Sequence, residues 1–132
     1  KGNPLPLMMF KHAVPTLNRI TQVYLQEAAL YSDQLEIAGR VDCIGEFDGI
    51  PSIIDFKTSK EEKREEWMED YYIQETGYAC MFYELYNTRI EQLVTIVACE
   101  DGNTQVVIKK PKKEYLDRLI ELRSLYQKIY GG

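Results

Sequence analysis

The sequence predicts an α/β fold in which a mixed central β-sheet is flanked by helices, and three observations indicate it. Residues 35–43 alternate apolar and polar side chains with the period of two that marks a half-buried strand. Asp48-Gly49 is a hairpin signal that leads into the β-rich run SIIDFKTS. Apolar residues recur at helical spacing over about residues 70–87 and again after Pro111. Interleaved strand and helix periods indicate packed layers of sheet and helix.

The other segments complete the order α-β-β-β-α-β-β-α. A short helix is predicted over about residues 5–20, where Pro15 ends or kinks it, and a strand over residues 22–31. The runs LVTIVACE and QVVIKK form a second hairpin around Asp101-Gly102-Asn103. The last helix has an apolar face made of Leu116, Leu119, Leu122, Tyr126 and Ile129. Because no repeat or linker divides the chain, we expect residues 1–132 to form a single domain.

Composition excludes several classes of protein. The chain has 45% hydrophobic and 28% charged residues, typical of globular domains, and no apolar run approaches the roughly 20 residues of a membrane span. Its three cysteines are odd in number and widely separated, which favours a reducing compartment such as the cytoplasm over a disulfide framework. The net charge of −5 argues against a broad basic DNA-binding surface, but not against carboxylates that bind cations.

Three residues within GRVDCIGEFDGIPSIIDFKTSK (39–60) form a chemical constellation. Asp55 and Lys57 are two apart on one strand and share a face, although such a pair alone is often a surface salt bridge. The hairpin places residues 40–44, with Asp42, beside residues 53–57. Two carboxylates bind Mg²⁺ or Mn²⁺, which generates hydroxide and neutralises charge on a phosphate. The lysine would orient the nucleophile, so the three residues predict phosphodiester hydrolysis.

The motifs GRVD, IIDFKTSK and QETGY together resemble the PD-(D/E)xK nuclease superfamily in its RecB-like exonuclease branch, which includes phage and mitochondrial genome maintenance exonucleases. The resemblance spans roughly residues 22–110 and implies a restriction-endonuclease-like core of αβββαβ order. The matched positions are Gly39 and Asp42, Asp55 and Lys57, and Gln74 and Tyr78.

The resemblance also implies roles for these residues. Asp42 and Asp55 would be metal ligands, together with the carbonyl of Phe56. Gln74 stands in the stripe Tyr71, Gln74, Tyr78, Met81 and Leu85, so we expect a buried amide that points toward the site and contacts the nucleotide. Tyr78 would support Gln74, with a plain core aromatic as the equal alternative. Lys60 would contact the DNA backbone.

Two departures from the family pattern bear on the metal site. Relatives carry an upstream G-x-x-x-H motif, which this chain lacks, so it is expected to be missing an N-terminal helical segment of a parent protein. His12 is the only histidine and is a secondary candidate for that ligand. Glu27 is a second candidate for the metal site, and the alternative is that its side chain faces outward without a role there. The three cysteines do not match an iron–sulfur site, so no such cluster is expected.

Two functional hypotheses follow. The first is a Mg²⁺- or Mn²⁺-dependent exonuclease acting on DNA single strands or free ends in phage-type replication, recombination or repair. The second is a non-catalytic nucleic-acid-binding or assembly module that keeps the fold with an incomplete metal site. The intact Asp42, Asp55 and Lys57 favour the first, and the missing histidine motif favours the second.

Overall fold

The computed structural model describes residues 4–130, and within that range the side chains of residues 11–125, 127 and 128. Helix α1 (Pro4–Leu17) is followed by the strands β1 (Ile20–Ser32), β2 (Ile37–Phe47) and β3 (Ile50–Ser59). A 3₁₀ turn (Glu65–Trp67) leads into α2 (Glu69–Tyr86), β4 (Gln92–Cys99), β5 (Thr104–Lys109) and α3 (Lys113–Tyr130). The predicted element order is therefore confirmed.

The strands form one sheet in the order β1-β2-β3-β4-β5. Neighbouring strands are antiparallel except β3 and β4, which are parallel. Parallel neighbours need a crossover connection, and α2 supplies it. Asp48-Gly49 forms the predicted turn between β2 and β3, with positive φ at both residues. The predicted α/β fold, a mixed sheet flanked by helices, is confirmed.

Helices pack against both faces of the sheet. The face that we call the α2 face packs against α2 and α3 around Ile53 and Val97. The opposite face, called the α1 face, contains Ile54 and Val94 and packs against Leu17 of α1. Consecutive residues of β3 thus alternate between the faces, as the strand period requires.

Strand β2 differs from the half-buried strand that the sequence predicts. Val41 lies in the core of the α2 face, whereas Cys43 lies in the core of the α1 face. The predicted alternation therefore fails at the end of residues 35–43: Val41 and Cys43 have the same parity but lie on opposite faces, so β2 is irregular between them.

Helix α2 crosses the α2 face and brings two parts of the sheet together. Its first half lies over β4, where Glu75 hydrogen-bonds to Thr95. Its second half lies over β1, where Phe82 stacks on Tyr24 with 6.3 Å between ring centroids. No helix within residues 4–130 is long and apolar enough to span a bilayer. The side chains of Tyr126 and Ile129 lie outside the described residues.

Candidate active site

The candidate site forms where β2 and β3 separate. Pairing of these strands stops at Cys43 and Ile54, although β3 continues beside β4 to Ser59. One residue beyond the last pair, the Asp42 carboxylate accepts a hydrogen bond from the Phe56 N–H at 2.9 Å. The N–H and carbonyl of one strand residue point to the same edge, so the Phe56 carbonyl is also directed toward β2.

Asp55 places a buried carboxyl group in this gap. Only 3% of the residue is exposed. Burial raises the pKa of its carboxyl to about 6; Lys57 opposes the rise and the adjacent Asp42 carboxylate adds to it. Its Oδ2 atom has no hydrogen-bond partner among the described residues. Such an oxygen fits a missing cationic or hydrogen-bonding partner.

Lys57 brings a positive charge to the same place. Its Nζ lies 3.8 Å from Asp55 Oδ2, and the side chain is about three-quarters buried, with 27% exposed. The ammonium also lies 4.7 Å from the centroid of the Tyr71 ring, which α2 contributes. Asp42, Asp55 and Lys57 therefore converge as the hairpin and the i,i+2 spacing predict.

Glu75 is a member of this cluster that sequence reasoning missed. It is fully buried, and its Oε2 accepts a hydrogen bond of 2.6 Å from the hydroxyl of Thr95, the β4 residue paired with Asp55. Its Oε1 has no hydrogen-bond partner among the described residues. Burial raises the pKa of Glu75 to about 9; the Thr95 hydrogen bond opposes the rise and the Asp55 charge adds to it. Glu75 is therefore neutral near pH 7 and contacts the Asp55 carboxyl from below.

The Tyr78 ring occupies space that Gly39 leaves open because it has no side chain. Tyr78 is buried, and a Cβ at Gly39 would lie 2.9 Å from its ring atom Cε1, closer than real Cβ contacts allow. Burial raises the pKa of the Tyr78 hydroxyl, and the charges of Asp55, Asp42 and Glu75 raise it further. The Tyr78 side chain therefore lies near the carboxyl cluster. Tyr78 is at once a core aromatic and a neighbour of the site.

Gln74 does not occupy the place that the sequence predicts for it. The residue is exposed, so the expected buried amide is wrong. The buried residues next to it on α2 are Ile73 and Glu75, and Glu75 takes the polar position beneath Asp55. Gln74 is three residues after Tyr71 and four before Tyr78, so it lies on their side of α2. The sheet does not cover it there, and its side chain is exposed to solvent.

Two secondary candidates lie away from the cluster. His12 is on α1, exposed, and its ring lies 3.7 Å from the position of a Cβ at Gly102 in the β4–β5 turn. Because α1 covers the face opposite to Asp55, His12 is not a ligand of this site. The Glu27 side chain is 74% exposed and lies 3.9 Å from Arg40, so the outward-facing alternative holds.

The nucleic-acid role of Lys60 stays a prediction. Lys60 is exposed directly after the last residue of β3, three positions beyond Lys57. Its ammonium is therefore accessible to ligands from solvent, which is true of most surface lysines.

The donor set fits a divalent cation with few protein ligands. Asp42 and Asp55 supply carboxylates, the Phe56 carbonyl is directed to the same edge, and Asp55 Oδ2 has no hydrogen-bond partner among the described residues. No group of three or more histidine, cysteine or acidic residues in the described part of the chain is arranged to hold a metal ion. A cation held by two carboxylates and a carbonyl would complete its coordination with water, as Mg²⁺ commonly does.

Comparisons with known proteins bear on the fold. No family model matches the sequence, and no curated protein matches it. Among solved structures, the crystal structure of "Putative exonuclease" from Eubacterium rectale matches with a TM-score of 0.57 and 14% sequence identity. The match covers 91% of this chain and 52% of that one, so this chain spans about half the length of its structural neighbour. At this identity the likeness shows a shared fold.

Proposed function

We propose that this chain is the core of a Mg²⁺- or Mn²⁺-dependent DNA nuclease of the exonuclease type. One observation carries the proposal: Asp42, Asp55 and Lys57 meet where β2 and β3 separate, around a buried carboxylate oxygen that has no hydrogen-bond partner among the described residues. The name of the structural neighbour and the resemblance of the GRVD, IIDFKTSK and QETGY motifs to RecB-like nucleases support the same class.

The residues of the cluster divide the work of hydrolysis. Asp42, Asp55 and the Phe56 carbonyl would hold the cation, which supplies a water of lowered pKa and polarises the phosphate. The Lys57 ammonium, 3.8 Å from Asp55, would orient the attacking water and stabilise the charge that develops on the phosphate. Gln74, exposed on the Tyr71–Tyr78 side of α2, would contact the nucleotide.

The substrate that we infer is DNA with single-stranded or free ends, and Lys60 would contact its backbone. The resemblance to phage exonucleases suggests replication, recombination or repair of the phage type as the setting.

Digestion of end-labelled DNA tests the proposal. We expect loss of label with Mg²⁺ or Mn²⁺, none in EDTA, and none with Asp55→Asn. Asp70→Asn serves as the matched control, because Asp70 is an exposed acid at the start of α2. Binding of DNA without metal-dependent digestion would instead support the non-catalytic module. That second candidate is favoured by the position of His12, which lies on the opposite face and so is not a ligand of the metal site.

A further inference from the structure

The 3₁₀ turn between β3 and α2 exposes a flat aromatic surface. Trp67, the only tryptophan of the chain, is 73% exposed, more than any other large hydrophobic residue whose burial the structure describes. Tryptophan rings usually bury most of their surface, so this exposure is costly. The Arg64 guanidinium lies 5.1 Å from the ring centroid. Core packing does not account for this side chain.

The turn that carries Trp67 is rigid. Gln105 on β5 forms two hydrogen bonds with the backbone of Lys63, of 2.8 and 2.6 Å. Glu65 forms an ion pair of 3.0 Å with Lys109. Met68, which directly follows Trp67, is fully buried. Both ends of the turn are therefore anchored to the sheet, and the exposed ring projects from a fixed support.

Trp67 also lies close in sequence to a residue of the candidate active site. It precedes Tyr71 by four residues, so their Cα atoms are at most about 14 Å apart even in an extended chain. The Tyr71 ring contacts the Lys57 ammonium at 4.7 Å. Trp67 and the ring that contacts Lys57 therefore belong to one short segment of the chain.

Charge argues against binding led by phosphates at this surface. Residues 60–66 carry three cationic and four acidic side chains, and Arg64 itself lies 3.8 Å from Glu66. A surface that binds DNA mainly through its phosphates, single-stranded or paired, needs an excess of positive charge. Here the ring face is the main feature, and an aromatic face binds an unpaired base by stacking.

We propose that Trp67 and Arg64 form a stacking platform for an unpaired base of single-stranded DNA next to the active site. The inference rests on the proposed function and deepens it by naming the single strand as the substrate form. Bases inside a duplex are already stacked and offer no free face. Stacking on an aromatic ring also depends little on base identity, so an unspecific nuclease could use it.

The single tryptophan makes the platform directly observable. We expect an oligo-dT strand added to the wild-type protein in EDTA, where no metal supports cleavage, to quench Trp67 fluorescence in a saturable way. A blunt duplex of equal length at equal concentration should quench much less. When the excitation is set at the red edge of the tryptophan absorption, where the ten tyrosines absorb little, the emission comes from Trp67 and the signal reports on this site alone.

Affinity measurements with variants complete the test. We expect Trp67→Ala to weaken binding of a labelled oligo-dT roughly 5- to 150-fold, the range for one stacked base, and Trp67→Phe to retain part of the affinity. Tyr83→Ala is the matched control, since Tyr83 is an aromatic residue that is 54% exposed on α2, 12 residues beyond Tyr71. Thermal melts check that each variant is folded.

The outcomes separate this inference from the proposed function. Equal quenching by strand and duplex, no quenching, or unchanged affinity of Trp67→Ala would each overturn the platform. A concentration-dependent change of Trp67 emission without DNA would indicate a second copy on the ring and would also overturn it. Digestion without quenching refutes only the platform, whereas quenching without digestion refutes only the nuclease.

Discussion

At the scale of single residues, the site holds more carboxyl groups than its one ammonium can balance. Asp55 and Glu75 both have raised pKa values, chiefly because burial penalises their charged forms. Lys57 lies against Asp55 and compensates part of one charge. The cluster therefore keeps a proton that a divalent cation would displace, so metal binding should release protons.

Glu75 should make the metal-free protein less stable as the pH rises. Its folded pKa of about 9 lies above its ordinary 4.5, so the folded state holds a proton that the unfolded state loses. The resulting stability is complete below about pH 4.5 and is lost as the pH rises toward 9. Thermal melts in EDTA should show a melting temperature that falls by roughly 15 °C from pH 6 to 9, since each pH unit between the two pKa values costs about 1.4 kcal/mol and each kcal/mol corresponds to about 4 °C.

Glu75→Gln should flatten that decline, because the amide does not ionise and can keep the Thr95 hydrogen bond. Glu84→Gln is the control on the same helix. Hydrogen bonds from Ser32 and the Asp33 N–H lower the pKa of Glu84, so it stays charged over this range in both states. An unchanged slope in Glu75→Gln would contradict the assignment.

Lys57→Ala should separate metal binding from hydrolysis. Removing the ammonium takes a positive neighbour from the Asp55 carboxylate, so Mn²⁺ should bind as tightly as in the wild type or more tightly. DNA cleavage should fall about 100-fold or more, the usual loss when a charge-stabilising donor is removed. Calorimetric Mn²⁺ titration and digestion rates measure the two effects, with Lys128→Ala as an exposed control. Cleavage at the wild-type rate would show that Lys57 has no such role.

At the scale of elements, the site exists because two strands part and one helix fills the gap. β2 and β3 separate beyond Cys43 and Ile54, and the Asp42 carboxylate replaces the missing backbone partner. Helix α2 then brings Glu75 and Tyr78 beneath the opening. Gly39 on β2 leaves the space that the Tyr78 ring occupies. The first and third sequence motifs are thus joined by a packing contact.

That contact predicts a coupling between Gly39 and Tyr78. Gly39→Ala places a methyl group 2.9 Å from the Tyr78 ring and should destabilise the protein by about 1–3 kcal/mol. In a Tyr78→Leu background, which removes the ring, the same change should cost clearly less. A double-mutant cycle by urea unfolding measures the coupling. Additive effects of the two changes would refute the contact.

At the scale of the whole molecule, the sequence predicted most of the fold and only part of the site. The Asp48-Gly49 turn and the i,i+2 spacing of Asp55 and Lys57 are local features, and both appear as predicted, whereas the alternation predicted for residues 35–43 fails between Val41 and Cys43. The side of the sheet that α1 covers depends on long-range packing, so the face on which His12 lies could not be predicted from its neighbours in sequence.

The side of α2 that faces the sheet could not be predicted either, for a different reason. Its buried side includes Glu75, Thr76 and Gly77, whereas its exposed side includes Tyr83 and Tyr86. Polarity therefore does not distinguish the two sides, and Gln74 was placed inside instead of Glu75. A buried glutamate looks like any other helix acid until the sheet beneath it is known.

The last prediction concerns the stability of the entire chain. A cation that binds the folded site and not the unfolded chain stabilises the fold by mass action, by about 2.7 kcal/mol at one hundred times its dissociation constant. Millimolar Mg²⁺ or Mn²⁺ should therefore raise the melting temperature of the wild type at pH 7.5. Asp55→Asn should abolish most of this rise while the variant stays folded, because the buried Oδ2 that awaits a partner is then an amide atom. Asp48→Asn is the control, since Asp48 pairs with Arg19 at the β2–β3 turn and should keep the full metal response. If Asp55→Asn responds to metal as the wild type does, the cation binds elsewhere and the carboxyl cluster is not its site.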